Sequence, residues 1–337
     1  MTSRTPPRKP TIYSIAQAVG VSPSTVSRAM SRPELVKESV REAVLAASRE
    51  LGYTPNRAAR GLATGRTGVI GMLVPDVQNP FFPPLIRAVQ VAARNHDAEL
   101  LLIDSELSAS AERELVSRIR PQVDGVIVAS PRLPTATLRD VLAGMPAVLV
   151  NRSARAVASV VVDNTPALQE IGDRLLELGH RRVALLRGPR AAWAATHRAK
   201  AVRAWAERAE VELVEIGPLE AQFAAGRDAA AQIIDADAGA IFAFDDLMAA
   251  GVIAGLSDRG ERVPHDRSVI GCDDVLLAQT MTPSLTTVTA PFEDLGRSAV
   301  ELLEEAVAGG AARTVSLPGK AALRGTIGPR SPQVSVT

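Results

Sequence analysis

At 337 residues, with 46% hydrophobic residues, the chain is long enough for two or three compact units with a sizeable core. Aromatics make up only 3%, so Ala, Val, Leu and Ile must fill that core, and the single cysteine, Cys272, excludes an internal disulfide framework and fits a reducing compartment. No run approaches the roughly 18–20 apolar residues that span a membrane, and residues 1–10 are polar and proline-bearing rather than a basic–apolar leader, so a cytoplasmic protein without a membrane partner is expected.

The net charge of +1 conceals an asymmetry. Residues 1–66 carry 11 Lys/Arg against 4 Asp/Glu, and the remainder 27 against 33. A basic N-terminal module on an acidic body points to a polyanionic partner held at one end. Residues 1–10, with Arg4, Arg8 and Lys9, read as an arm able to touch phosphates. Residues 11–28, TIYSIAQAVGVSPSTVSR, read as two short helices joined by a tight turn. Ile12, Ile15, Ala16 and Val19 recur at helical spacing, Gly20 allows the reversal, and Ser22 with Pro23 opens the second helix, over 23–30. Its exposed face would carry Pro23, Ser24, Thr25, Ser27 and Arg28, groups that suit base edges and phosphates in a major groove. A third helix is expected over Glu38–Leu51, with Val40, Val44, Ala47 and Leu51 facing the first two. Asn56 could cap a further helix, but a short one containing Gly61 is marginal alone, so residues 56–67 read as a hinge and linker.

From Val69 the pattern becomes strand–helix alternation. Buried-strand runs are VIGMLV (69–74), ELLLID (99–104), GVIVAS (125–130), AVLVN (147–151), VVVD (160–163), RVALL (182–186), ELVEI (212–216), AIFAF (240–244) and SVIGC (268–272). Helical stretches lie between most of them, including 84–95, 112–119, 167–178, 246–259 and, near the end, 292–308. The fold class expected is α/β: an all-α head followed by two lobes of doubly wound parallel sheets. Lobe 1 is placed at 68–163 plus 290–318, lobe 2 at 164–289 plus 319–330, and residues 328–337 are read as a disordered tail. Ligands of open α/β sheets lie beyond the carboxyl ends of the strands. There the sequence sets Asp76, Asn151-Arg152, Asp163-Asn164, Asp245-Asp246 and Asp273-Asp274, with Phe81-Phe82 before the first helix. Carboxylates, an amide, guanidinium groups and aromatics converging on a cleft suit a polyhydroxylated or heterocyclic molecule.

An enzyme is not expected. There is no GxGxxG or GxxxxGK[ST], no cofactor motif and no metal-ligand cluster. His96, His180, His197 and His265 sit in or beside charged segments that read as surface, His180 as a turn residue, and Cys272 reads as core.

Over nearly its full length the chain resembles the LacI/GalR family of bacterial transcription regulators. TIYSIAQAVGVSPSTVSRAM and LGYTPNRAARGLATGRTGVIG carry the resemblance most specifically; VPDVQNPFF, DGVIVAS, LGHRRVALL, FDDLMAAGV, VIGCDD and TPSLTTV follow in family order. The resemblance implies a helix-turn-helix head (1–55), a hinge helix and linker (56–67) and a two-lobed, periplasmic-binding-protein-like core (68–330). It implies that Pro23, Ser24 and Arg28 choose the operator sequence. Ser22, Thr25 and Ser27 would bond the DNA backbone, with Tyr13 near the phosphates. Asn56 and Arg57 would open the hinge helix, and Leu62 would wedge into the minor groove. In the core, Phe81 and Phe82 match ring-stacking effector contacts, and Asn151, Arg198, Asp245 and Asp273 match polar ones. Asp76 and Arg152 are added from their strand-end positions. Arg198 has a physical case as well, because THRAK reads as a helix opening from which its fork can reach a hydroxyl or carboxylate. The partners implied are an operator duplex, a sugar-like effector and a second copy of the chain, as a dimer or a tetramer. Ser31 departs from the family's usual Asn, Asp245 from its Asn-Asp pair, and AAWAAT (191–196) is poor in polar groups for a sugar site.

Overall fold

The structure is a computed structural model that describes residues 10–31, 33–53 and 66–330, and the chain divides into two compact units, residues 1–67 and 68–337. The arm and the hinge residues Asn56, Arg57 and Leu62 lie outside the described residues.

In the first unit, Thr11 starts α1 (Ile12–Val19) with a reciprocal cap: its Oγ1 accepts Ser14 N, and Ser14 Oγ accepts Thr11 N. Gly20, at φ +74°, ends the helix in the left-handed region that a side chain would resist. Ser22 Oγ then accepts Thr25 N at 3.1 Å, and α2 (Pro23–Ser31) begins on Pro23. A 3-10 turn (Pro33–Leu35) leads to α3 (Glu38–Leu51). Ile15, Ala16, Val26, Ala29, Val44 and Ala47 close the small core, with Val40 packed at its edge. Leu51 departs from the periodic expectation: at the helix end it is 43% exposed.

The second unit starts with β1 (Val69–Val74), α4 (Phe82–Arg94), β2 (Glu99–Asp104), α5 (Ala109–Ile119), β3 (Gly125–Ala129), α6 (Thr135–Leu142), β4 (Ala147–Val150) and β5 (Ala158–Asp163). It continues through α7 (Thr165–Glu177), β6 (Arg182–Leu186), α8 (Trp193–Arg208), β7 (Glu212–Ile216), α9 (Phe223–Asp235), β8 (Ala240–Phe242), α10 (Asp246–Ser257) and β9 (Ser268–Ile270). It ends with α11 (Leu276–Thr280), β10 (Thr287–Val288), α12 (Phe292–Val307), β11 (Thr314–Pro318) and β12 (Ala321–Ala322).

Two parallel sheets result. One runs β11-β5-β4-β3-β1-β2 and the other β7-β6-β8-β9, while β10 and β12 form a separate antiparallel pair. In each sheet the first strand of the lobe sits inside the order, so connections diverge on either side of β1 and β6 and leave a crevice at the carboxyl ends of β1/β3 and β6/β8. Helices cover both faces, and separate apolar clusters fill the layers. Trp205 is fully buried against Phe242 and against Gly172, whose missing Cβ leaves the indole its space.

The chain end is ordered further than the sequence suggests. Arg330 N donates to Leu178 O, and Gly328 N to Ser268 Oγ, so residues 328–330 are bonded onto lobe 2 while 331–337 lie outside the described residues. His180 holds this docking. It is buried rather than at the surface, with Nε2 donating to Gly328 O at 3.0 Å and lying 3.1 Å from Ser268 Oγ.

Candidate functional site

On the head, Val26 and Ala29 turn inward, and helical spacing leaves Ser22, Ser24, Ser27 and Arg28 outside, with Pro23 and Thr25 half-buried. Tyr13, 71% exposed, stands on α1. Ser22 Oγ lies 2.8 Å from both Ser24 Oγ and Thr25 Oγ1, a cluster of hydroxyls at the positive end of α2. Arg28 Nε donates to Ser24 O at 3.2 Å, which lays the guanidinium along the same helix face. The face thus combines short hydrogen-bonding groups and one cation, with no acidic residue in the first turn of α2.

In the core, seven of the eight residues expected at the ligand site line one cavity of about 60 Å³ at the carboxyl strand ends: Asp76, Phe81, Phe82, Asn151, Arg198, Asp245 and Asp273. Phe81 meets Phe82 edge-on at 5.2 Å, forming an apolar floor. Ser130, Asn151 and Asp273 all line the cavity with positive φ (47°, 54° and 113°), an uncommon backbone state for residues with side chains that concentrates where strands stop and side chains turn into the cleft.

Arg152 is not among the lining residues. After the left-handed turn at Asn151 its side chain points elsewhere, and its guanidinium donates to Pro131 O, to Thr135 Oγ1 (2.8 Å) and, across to lobe 2, to Ala191 O (3.4 Å). Other side chains also join the lobes: Asn79 Nδ2 donates to Asp245 Oδ2 at 3.0 Å and to Ala221 O at 3.4 Å, and Arg132 Nη1 donates to Glu220 Oε2 at 3.0 Å. The geometry therefore makes Arg152 a lobe-to-lobe strut.

The neighbouring aspartates also divide their work. Asp245 caps α10, accepting Met248 N at 2.8 Å, and faces the cavity. Asp246 is buried behind it and accepts from Thr287 Oγ1 and Val275 N; Gly271 lies so close that a Cβ there would strike Asp246 Oδ1. Arg198 does not open its helix, since α8 starts five residues earlier at Trp193. It donates to Asp273 Oδ1 at 2.5 Å and Phe244 O at 2.6 Å, and its buried Nε has no acceptor among the described residues.

Arg198 thus pairs with Asp273 and lies near Asp245, while Asp246 is buried behind them without a counter-charge of its own among the described residues. Burial pushes Asp245 above the usual carboxylate range; burial and the nearby Asp273 push Asp246 to about 7; and burial carries Asp273 to about 6 against the pull of Arg198. These raised values mean the native state holds more protons than the unfolded chain, so their stabilising effect is complete below the unfolded value near 4 and lost as pH rises through 6 and 7. His180 acts oppositely: burial lowers its pKa, so its contribution is lost as pH falls below 6.5. The melting temperature of the full chain is therefore expected to fall between pH 6.5 and 8, where loss of the carboxyl effect outweighs the remaining gain from His180. Calorimetry on Asp246→Asn, which keeps an acceptor for Thr287, should show most of that slope gone; an unchanged slope would assign it elsewhere.

Sequence reasoning did not single out Asn79, Ser130, Arg132, Trp193 and Phe244, which also line the cavity. Two had a signal: Asn79 lies inside VPDVQNPFF, and Trp193 is one of only two tryptophans in the chain. AAWAAT offers the cleft that ring and the uncapped start of α8 in place of polar side chains.

A helix-turn-helix head with a polar recognition face, carried on the same chain as a two-lobed core with a charged cleft, defines a DNA-binding regulator that responds to a small ligand. The chain belongs to the LacI family of bacterial regulatory proteins. The family's DNA-binding pattern, "Bacterial regulatory proteins, lacI family", matches residues 11–56, and that of a "Periplasmic binding protein-like domain" matches residues 173–327. The chain is 33% identical over 302 residues to the ribose operon repressor of Halalkalibacterium halodurans, covering 87% of this chain and 89% of the relative. It is 31% identical over 309 residues to the transcriptional repressor CytR of Escherichia coli, covering 89% and 90%. Among solved structures, the Lac repressor dimer bound to operator and the anti-inducer ONPF superposes with a TM-score of 0.85 at 26% identity, over 95% of this chain and 99% of that one. The transcriptional regulator CelR in complex with cellobiose gives 0.70 at 29% identity, over 94% and 99%.

Proposed function

We propose that this regulator is a repressor whose operator affinity is set by a neutral, hydroxyl-rich effector, a sugar or related polyol or nucleoside, bound in the core cleft. The observation that carries the reading is the cavity itself: Asp245, Asp273, Asp76 and Asn151 offer acceptors and an amide around Phe81 and Phe82, and bonds from Asn79 and Arg132 cross it. The three carboxyl groups of Asp76, Asp245 and Asp273 outnumber the guanidinium groups of Arg132 and Arg198, disfavour an anionic ligand and accept from hydroxyls. The relatives support the class, since one is a ribose operon repressor and one neighbour holds cellobiose.

In this reading residues 1–55 are the head and 56–67 the hinge, with Asn56, Arg57 and Leu62 acting at the operator centre. Residues 68–163 with 290–318, and 164–289 with 319–330, are the two lobes. Pro23, Ser24 and Arg28 read bases, while Tyr13, Ser22, Thr25 and Ser27 bond the backbone. The protein acts as a dimer on a two-fold repeated site. It works in the cytoplasm and catalyses no reaction; no described helix is long and apolar enough to cross a membrane. An effector that binds both lobes favours their closed arrangement, and by linkage operator DNA must alter effector affinity by the same factor.

The test is to select a binding duplex from random DNA, then measure its affinity against salt and effector. Affinity is expected to fall steeply with salt as cations release counterions, and Arg28→Ala should narrow discrimination between sites by about 1–3 kcal/mol. Equal weakening on every sequence would remove Arg28 from base reading, and a flat salt response would count against duplex binding as a whole.

A further inference from the structure

A separate recess of about 360 Å³ lies on lobe 2, at the carboxyl ends of β6 and β7. Arg187 follows β6 and continues its pairing with β7, its N donating to Ile216 O. Arg190 comes next on the loop, and α8 presents Thr196 and Arg203 two turns apart on one face. Pro189 and Pro218 add apolar walls, and among the described residues no carboxylate lines the recess. Glu215 answers part of this charge. Arg203 grips it with Nε at 2.5 Å and Nη2 at 2.7 Å, and Arg187 Nε stands 3.4 Å from the same carboxylate, outside hydrogen-bond geometry. Arg190 is exposed and has no ion-pair partner among the described residues. Three guanidinium groups thus face one carboxylate, and positive charge is left over.

Arginine forks match phosphoryl oxygens with paired N–H donors, and a neighbouring hydroxyl adds another. A bound oxyanion also relieves the repulsion between the cations. The recess has room for a phosphoryl group and part of the molecule that carries it, with the prolines against carbon. The loop that frames it reaches further. Arg187 Nη2 donates to Gly217 O at 2.7 Å, and Leu219 N donates to Arg187 O at 2.9 Å. The next two residues, Glu220 and Ala221, accept from Arg132 and Asn79 of lobe 1. An anion on Arg187 competes with the Gly217 carbonyl and so acts on a loop that fastens the lobes together. We propose that this recess binds a small phosphomonoester, its phosphoryl group held by Arg187, Arg190, Arg203 and the Thr196 hydroxyl, and that occupancy alters the lobe-to-lobe bonds through residues 217–221. The site stands on its own geometry, while its effect on DNA rests on the reading that lobe arrangement sets operator affinity.

Titration calorimetry on the full chain with inorganic phosphate and ribose 5-phosphate tests the site, with ribose as the uncharged control. Both phosphate compounds are expected to bind, and Arg190→Glu should weaken each by about tenfold or more, equivalent to about 1.4 kcal/mol. Thr196→Asp, at an exposed position of α8, sets a negative charge in the same recess and serves if the first variant misfolds. Binding of ribose itself belongs to the cleft and should be indifferent to both variants. Failure of both phosphate compounds to bind, or binding unchanged in both variants, overturns the site and leaves the effector reading of the cleft standing. Operator affinity is then measured with saturating ribose 5-phosphate against potassium chloride of equal ionic strength, because salt alone weakens binding to DNA. A change of about fivefold is expected, and it should shrink in Glu220→Gln, which removes the charge that Arg132 grips. An unchanged operator affinity, or a change undiminished in Glu220→Gln, overturns the transmission through residues 217–221 and leaves the site.

Discussion

Arg198→Ala is expected to lower the stability of the core by about 3–5 kcal/mol and to abolish the rise in melting temperature that an effector produces. The reason is the position of the guanidinium, buried at 8% exposure between Asp273 Oδ1 and Phe244 O. Truncation leaves Asp273 without its counter-charge in a site where burial already drives the carboxyl to about 6. Below that pH Asp273 takes up a proton, so the loss should be smaller at pH 5.5 than at pH 8. Replacing both partners, as Arg198→Met with Asp273→Asn, should recover most of the stability, because removing a buried pair together costs far less than orphaning one member. It should not recover ligand binding. A double variant that responds to effector as the parent does would show that the pair supports the fold only.

The second expectation separates the two ends of the molecule. Ile15→Ala is expected to abolish operator binding while leaving effector affinity within about twofold. Ile15 is fully buried in a core of six small or medium side chains, and such a truncation costs about 2–5 kcal/mol. A single core of that size rarely supplies more than about 3–5 kcal/mol in total, so the change consumes most of the head's stability. Ile15→Val, which costs about 0.5–1.5 kcal/mol, should retain binding. Mobility-shift assays on the selected duplex and calorimetry with the effector check both statements; loss of effector binding in Ile15→Ala would show that the core depends on the folded head.

Much of this architecture rests on local chemistry. The cap at Thr11, the reversal at Gly20, the start at Pro23 and the apolar spacing of Ile15, Val26 and Val44 involve neighbours within one or two turns, so composition and spacing settle them. The runs from Val69 onward are continuous because parallel strands are covered on both faces, and their polar ends are visible for the same reason: burial stops where the strand stops. Hence Asp76, Asn151, Asp245 and Asp273 are legible in the sequence as strand-end groups.

What tertiary structure alone decided is the direction and pairing of those groups. Asn151 turns into the cavity and Arg152 into a strut because one residue takes φ +54°, a choice adjacent residue types do not reveal. Asp245 faces the ligand and Asp246 the interior because Gly271, Val275 and Thr287 close over the latter. Asn79 meets Asp245 across 166 positions of sequence, and Arg198 meets Asp273 across 75. Trp193 comes beside Asn151, Asp163 and Ser316 only because the fold lays α8 against β4, β5 and β11. Local propensity fixes where an element begins and which face is apolar; long-range approach fixes which polar atoms lose water and must find each other.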